Sequence, residues 1–150
     1  MKERATIILA EDDEGHASLI TRNLKKALDS VEIIRFKNGQ QTMDFLLGED
    51  HERRIQSGRF YIVLLDIRLP KIDGVEVLRR MKNEPDLAGI PVIVLSTTED
   101  PAQVKECHEL GCSLYINKPV DYNKFVETIK QLGKFIMSME APPLEQAPDD

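Results

Sequence analysis

Long apolar runs are missing from this chain. No stretch approaches the roughly 18 residues that a bilayer-spanning helix needs, which excludes a helical membrane protein. Met1-Lys-Glu-Arg4 leads straight into a strand-like run, so no secretory leader is expected. Cysteine is scarce: Cys107 and Cys112 lack the CxxC spacing of a zinc or redox site, and a reduced, cytoplasmic protein is the natural reading. No basic stripe and no basic amphipathic helix is present, so neither nucleic acid nor a membrane surface is expected as a partner. The phosphate-cradling loops GxxxxGK[ST] and GxGxxG are absent, which argues against a nucleotide-binding protein. Aromatics make up 5% of the chain and apolar residues 41%, ordinary for an α/β domain. The net charge of -6 falls largely on Glu140, Glu145, Asp149 and Asp150, so the body is only weakly acidic.

What is present is a regular alternation. Five short apolar runs occur at Thr6–Ala10, Val31–Phe36, Tyr61–Leu65, Val92–Leu95 and Leu114–Ile116. The first, third and fourth are continuously apolar, as strands read when helices cover both faces of a parallel sheet. Between and after them, apolar residues recur at helical spacing. The sets are Ile20/Leu24/Ala27/Leu28, Met43/Leu46/Leu47, Val75/Leu78/Met81, Val104/Cys107/Leu110 and Phe125/Ile129/Leu132/Ile136/Met139. Asp73 with Glu76, and Asp100-Pro101 with Gln103, resemble capping boxes, and Asp121 is placed to cap the last helix. The order is (βα)5, and right-handed crossovers make it a doubly wound α/β fold with a parallel five-stranded sheet. Residues 48–60 form a long polar connection. Residues 140–150 form an acidic, proline-containing tail with little to bury, beyond a domain spanning residues 1–139.

Ligands of open parallel sheets bind beyond the carboxyl ends of the strands. The first run ends there in Glu11-Asp12-Asp13, the third in Asp66, the fourth in Ser96-Thr97-Thr98 and the fifth in Asn117-Lys118-Pro119. The second ends in Lys37-Asn38-Gly39, which reads as a plain turn. Converging carboxylates repel one another and call for a hard divalent cation such as Mg²⁺. A lysine and a hydroxyl at the same edge suit the oxygens of a phosphoryl group. Taken singly, Asp12 reads equally well as a cap, Lys118 as a loop lysine and Ser96 as a structural hydroxyl; the combined set does not. Cys107 and Cys112 read as packing residues, and His16, His51 and His108 as surface groups.

The segments Ile-Leu-Ala-Glu11-Asp12-Asp13, Val-Leu-Leu-Asp66-Ile-Arg-Leu-Pro70, Asp73-Gly74, Val-Leu-Ser96-Thr97 and Lys118-Pro119 together resemble the receiver domain of two-component response regulators, across about residues 5–138. The resemblance implies a flavodoxin-like receiver fold and a phosphoacceptor at Asp66. It implies a Mg²⁺ site, with Mn²⁺ as a substitute, built from Glu11, Asp12, Asp66 and the Arg68 backbone carbonyl. It makes Ser96 and Lys118 the partners of the phosphoryl oxygens, and Ser96 and Tyr115 a coupled switch. Arg68 and Thr98 stand where the family tunes autodephosphorylation, and the Lys118–Pro119 bond stands where it often adopts the cis form.

The implied function is a single-domain response regulator that takes a phosphoryl group from a sensor histidine kinase. It is a switch rather than an enzyme, and it would signal through the face of its fourth helix, fifth strand and fifth helix. The long 48–60 connection and the lack of an output domain resemble stand-alone regulators paired with phytochrome histidine kinases. A haloacid-type phosphatase would need a second acid two residues after the nucleophile, where Arg68 stands. A degenerate receiver acting only as a binding module would not keep the full acid, hydroxyl and lysine set. Two surfaces are expected: Leu19 as an exposed kinase contact, and a homodimer face of the fourth helix, fifth strand, fifth helix and the residues that follow, where Phe135, Met137, Met139 and Leu144 go beyond the Phe125/Ile129/Leu132/Ile136 stripe that covers the sheet.

Overall fold

A computed structural model describes residues 5–48, 55–56 and 58–139. Strands β1 (Ala5–Ala10), β2 (Glu32–Phe36), β3 (Phe60–Asp66), β4 (Val92–Ser96) and β5 (Leu114–Asn117) alternate with helices α1 (Glu14–Ala27), α2 (Gly39–Leu47), α3 (Gly74–Asn83), α4 (Pro101–Glu109) and α5 (Tyr122–Ser138). The strands form one parallel sheet in the order β2-β1-β3-β4-β5. The chain thus reverses direction across the sheet between β1 and β3, the place where such sheets open a crevice.

The continuous apolar runs split by parity. Ile8, Ala10, Val63, Leu65, Val92 and Val94 pack with Met43, Leu46, Leu78, Met81 and Cys107 on one face. Ile7, Leu9, Ile62, Leu64, Ile93 and Leu95 pack with Leu19, Ile20, Leu24, Phe125, Ile129, Leu132 and Ile136 on the other. Both faces are dry, which is why no polar alternation shows in β1, β3 or β4.

Every helix start carries an N-cap. Asp13, Asn38, Asp73, Asp100 and Asp121 accept from the amides of His16, Gln41, Glu76, Ala102 and Lys124 respectively. Lys37-Asn38-Gly39 is therefore a helix entry and not a plain turn. Neither suspected box partner is seen bonding back: Glu76 pairs with Arg79 and Arg80, and Gln103 reaches Tyr115. Two of the entries are compressed. A Cβ on Gly39 would lie 1.8 Å from the Ile72 carbonyl oxygen, and one on Gly74 would lie 2.3 Å from the Asp66 carbonyl oxygen. Gly74 thereby lets α3 begin directly against the end of β3.

The helices are held unequally. The expected stripe of α5 is buried at Phe125, Ile129, Leu132 and Ile136, whereas α4 buries only Cys107. Leu19, expected to be an exposed contact, is 7% exposed. Helix α1 packs against α5 as well as the sheet, so its buried arc is wider than one stripe. Among the described residues, no helix is long and apolar enough to cross a membrane. Leu144, the 140–150 tail and most of the 48–60 connection lie outside the described residues; Ile55 packs against the core and the Gln56 amide donates to the Tyr61 hydroxyl.

Candidate functional site

The crevice beyond β1 and β3 collects the residues singled out in the sequence. β1 delivers Glu11 and Asp12, β3 delivers Asp66, β4 delivers Ser96, and the segment after β5 delivers Lys118. One carboxylate oxygen each from Glu11, Asp12 and Asp66 lie within 4.8 Å of one another. Glu11, Asp66, Ser96 and Lys118 are buried, while Asp12 is exposed at the mouth. Asp13, the third acid of the run, turns away to cap α1.

Lys118 is the cation of the cluster. Its Nζ makes an ion pair with Glu11, donates to Asp66 Oδ2 at 3.2 Å, and lies 3.3 Å from His16 Nδ1. The Lys118 amide donates to the Ser96 carbonyl at 2.8 Å, which fixes this segment against the end of β4. One ammonium among three carboxylates leaves the set short of positive charge. Burial pushes the Glu11 carboxyl up to about 7 even with Lys118 pulling it down and Asp66 adding to the rise. Oxygen donors, excess negative charge and one open side fit a hard divalent cation.

The rest of the crevice is joined by hydrogen bonds. The Arg68 amide donates to Asp66 Oδ1 at 3.1 Å, bringing the backbone of residue 68 to the site. The Arg68 guanidinium reaches Thr98 Oγ1 at 3.4 Å, and the Thr98 amide donates to Ser96 Oγ at 3.1 Å. The Tyr115 hydroxyl donates to the Thr98 carbonyl at 3.1 Å and accepts from Gln103 Nε2 at 3.0 Å. A continuous path therefore runs from Asp66 to α4. The Lys118–Pro119 bond is trans, the form a tertiary amide prefers by about 0.5–1 kcal/mol, and not cis.

Residues 7–130 match the response regulator receiver domain family. The chain belongs to the response regulator receiver family. Response regulator Rcp1 of Synechocystis sp. is 34% identical over 135 residues, covering 90% of this chain and 86% of Rcp1. A receiver domain from Rhodospirillum rubrum superposes with a TM-score of 0.88 at 40% identity, over 94% of this chain and 99% of that one. The phosphorylated cyanobacterial phytochrome response regulator RcpA gives 0.84 at 31%, over 93% and 99%. The Mn²⁺-bound form of Rcp1 gives 0.80 at 30%, over 92% and 98%. The protein is thus a receiver homologous to phytochrome-associated response regulators, with the receiver's flavodoxin-like fold.

Three residues of this receiver site escaped sequence reasoning. His16, read as a surface group, lies against Lys118 and packs on the Phe125 ring with centroids 5.3 Å apart. Gln103 was read as a cap partner. Arg35 drew no reading from the sequence, yet it hydrogen-bonds the Glu11 carbonyl. A polar residue one turn into a helix that starts at the acids, or at the carboxyl end of a neighbouring strand, is the signal that was available.

Proposed function

We propose that this receiver accepts a phosphoryl group on Asp66 from a phosphohistidine of a sensor histidine kinase, in a reaction that needs Mg²⁺. The observation that carries the reading is the Lys118 ammonium held between Glu11 and Asp66 at the carboxyl edge of the sheet. An Asp66 oxygen attacks phosphorus, the phosphorus–nitrogen bond breaks, and the imidazole leaves as an acyl phosphate forms. Lys118, already in contact with Asp66, pairs with one phosphoryl oxygen, and the Ser96 hydroxyl donates to another. Glu11, Asp12, Asp66 and the Arg68 carbonyl are the residues that would hold the cation, whose charge screens the approaching phosphoryl oxygens from the carboxylates. The Mn²⁺-bound Rcp1 supports this choice of ion.

Once Ser96 turns to the phosphoryl group, its bond from the Thr98 amide is disturbed, and Thr98 carries the acceptor of Tyr115. The change thereby reaches α4, β5 and α5. Relatives named for phytochrome signalling support a phytochrome-type kinase as donor, and the two free cysteines support a cytoplasmic setting. The exposed Phe135 and Met137 support a homodimer through the end of α5. The unit spanning residues 1–139 acts as the switch and catalyses nothing beyond its own phosphorylation and dephosphorylation. Arg68 in place of a second acid speaks against a phosphatase.

The test is mass spectrometry of the chain after incubation with acetyl phosphate, with and without Mg²⁺. The expected result is one added phosphoryl group, on Asp66, only with the ion. Labelling elsewhere, or equal labelling in a chelator, overturns the reading.

A further inference from the structure

We infer that Arg35 is a positioning residue for the acid pair Glu11–Asp12, holding it in the shape that receives the divalent cation. The inference rests on the metal-binding reading above. Arg35 lies on the edge strand β2, in register with Leu9 of β1. Its Nε donates to the Glu11 carbonyl oxygen at 2.9 Å and its Nη1 to Glu14 Oε2 at 2.9 Å. The Glu11 amide donates in turn to the Phe36 carbonyl at 3.0 Å. The peptide groups on both sides of Glu11 are therefore tied to the end of β2.

The Glu11–Asp12 peptide is a rigid plane that contains the Glu11 carbonyl and the Asp12 amide. Fixing the direction of that carbonyl fixes where the Asp12 amide and Cα lie, and so narrows the arc that the Asp12 side chain can sweep. Asp12 is exposed, and no other contact is seen to hold it in place among the described residues. Its carboxylate nevertheless stands within 4.8 Å of those of Glu11 and Asp66, where like charges push it away. The Arg35 fork supplies the restraint.

The guanidinium is not placed there for its own comfort. Its Nη2 is buried with no hydrogen-bond partner, unlike every other buried side-chain nitrogen or oxygen among the described residues. A buried donor left unpaired costs about 1–3 kcal/mol, a cost set against the two bonds that its Nε and Nη1 make. Glu14 is the exposed arm of the clamp, shared with Lys37 Nζ at 3.5 Å, and Arg35 holds its carboxyl below the ordinary value.

Charge and position predict opposite results. Removing a cation beside an acidic site strengthens Mg²⁺ binding if only charge matters; it weakens binding if the loop is released. Calorimetric Mg²⁺ titration of the full chain separates the two, run on wild type, Arg35→Ala, Arg35→Lys, Glu14→Gln and Asp12→Ala, each checked for folding by circular dichroism. Groups that orient metal ligands typically contribute 10–100-fold in affinity. Arg35→Ala is therefore expected to weaken Mg²⁺ binding about tenfold. Arg35→Lys keeps the charge but loses the planar fork and is expected to fall between it and wild type, with Glu14→Gln nearer wild type. Unchanged or tighter binding by Arg35→Ala, while Asp12→Ala is weakened, overturns the inference and leaves the metal site standing. Wild-type affinity in Asp12→Ala overturns the metal site and the inference with it. If Arg35→Ala does not fold, Arg35→Lys decides, and wild-type affinity there overturns the inference.

Discussion

Lys118 Nζ donates to Asp66 Oδ2 across 3.2 Å, joining the ends of two separated strands. Removing either partner has a distinct result. Asp66→Asn is expected to abolish labelling by acetyl phosphate. Lys118→Ala leaves Glu11 and Asp66 buried without their cation, a loss of about 3–5 kcal/mol for such pairs. Chemical denaturation in a chelator is expected to show that loss, with Mg²⁺ recovering part of it. Full labelling of Asp66→Asn would refute the assignment of the acceptor.

Asp12 separates stability from metal binding. Its carboxylate is exposed and adds repulsion to the cluster. Without metal, Asp12→Ala is expected to melt at or slightly above the wild-type temperature. With Mg²⁺ at about 100 times its Kd, wild type gains about 2.7 kcal/mol and the variant gains little. Equal shifts in both melting curves would show that Asp12 is not a ligand.

The burial of Leu19 moves the expected kinase contact. Leu19→Ala is now a core truncation and is expected to cost about 2–5 kcal/mol. The exposed apolar group near the site is Val120, two residues past Lys118 and 104% exposed. Val120→Glu is expected to slow transfer from a phosphorylated kinase while labelling by acetyl phosphate and the melting temperature stay unchanged. Equal slowing with both donors would place Val120 in the site itself.

At the end of α5, Phe135 is 44% and Met137 56% exposed. Phe135→Glu is expected to convert a dimer to a monomer in light scattering. A wild-type chain that is already monomeric, with and without beryllofluoride, would remove the dimer from the account.

Burial pushes the Cys107 thiol up to about 11 and raises Cys112 as well. A folded-state value above the unfolded one means that the unfolded chain loses its proton first. The native state is then destabilised as pH rises from about 9 towards about 11. Stability measured across that window is expected to fall, and alkylation of both thiols at pH 8 to be slow until the chain is unfolded. Rapid alkylation of the native protein would contradict the burial.

The sheet was legible because burial on both faces makes the middles of β1, β3 and β4 continuously apolar, with polar Asp66 and Ser96 only at the carboxyl ends of β3 and β4. The site was legible because Glu11, Asp12, Asp66, Ser96 and Lys118 all fall at strand ends that topology brings to one edge. What sequence reasoning missed depends on tertiary neighbours. Leu19 lies beside the expected stripe and is buried all the same, in the cluster where α1 and α5 pack together on the sheet. His16 looks free until Lys118 and Phe125 arrive from the far end of the chain. Arg35 breaks the apolar pattern of β2, and only the register with β1 shows that it serves the acids. Gln103 has the spacing of a cap partner, and Tyr115 competes for it successfully.

Helix α4 fully buries a single side chain, Cys107, helped by Leu110 at its end and the Gln103 bond to Tyr115. Full burial of a modest apolar side chain is worth about 1.5–3 kcal/mol, whereas reversing a two-state population from 1:99 to 99:1 takes about 5.5 kcal/mol. Helix α4 is thus the lightly anchored element of this face, and α5, with its row of buried anchors, the firm one. A full apolar stripe on α4 would weld that helix to the sheet; on the function proposed above, economy of packing on this one helix sets the gain of the signal.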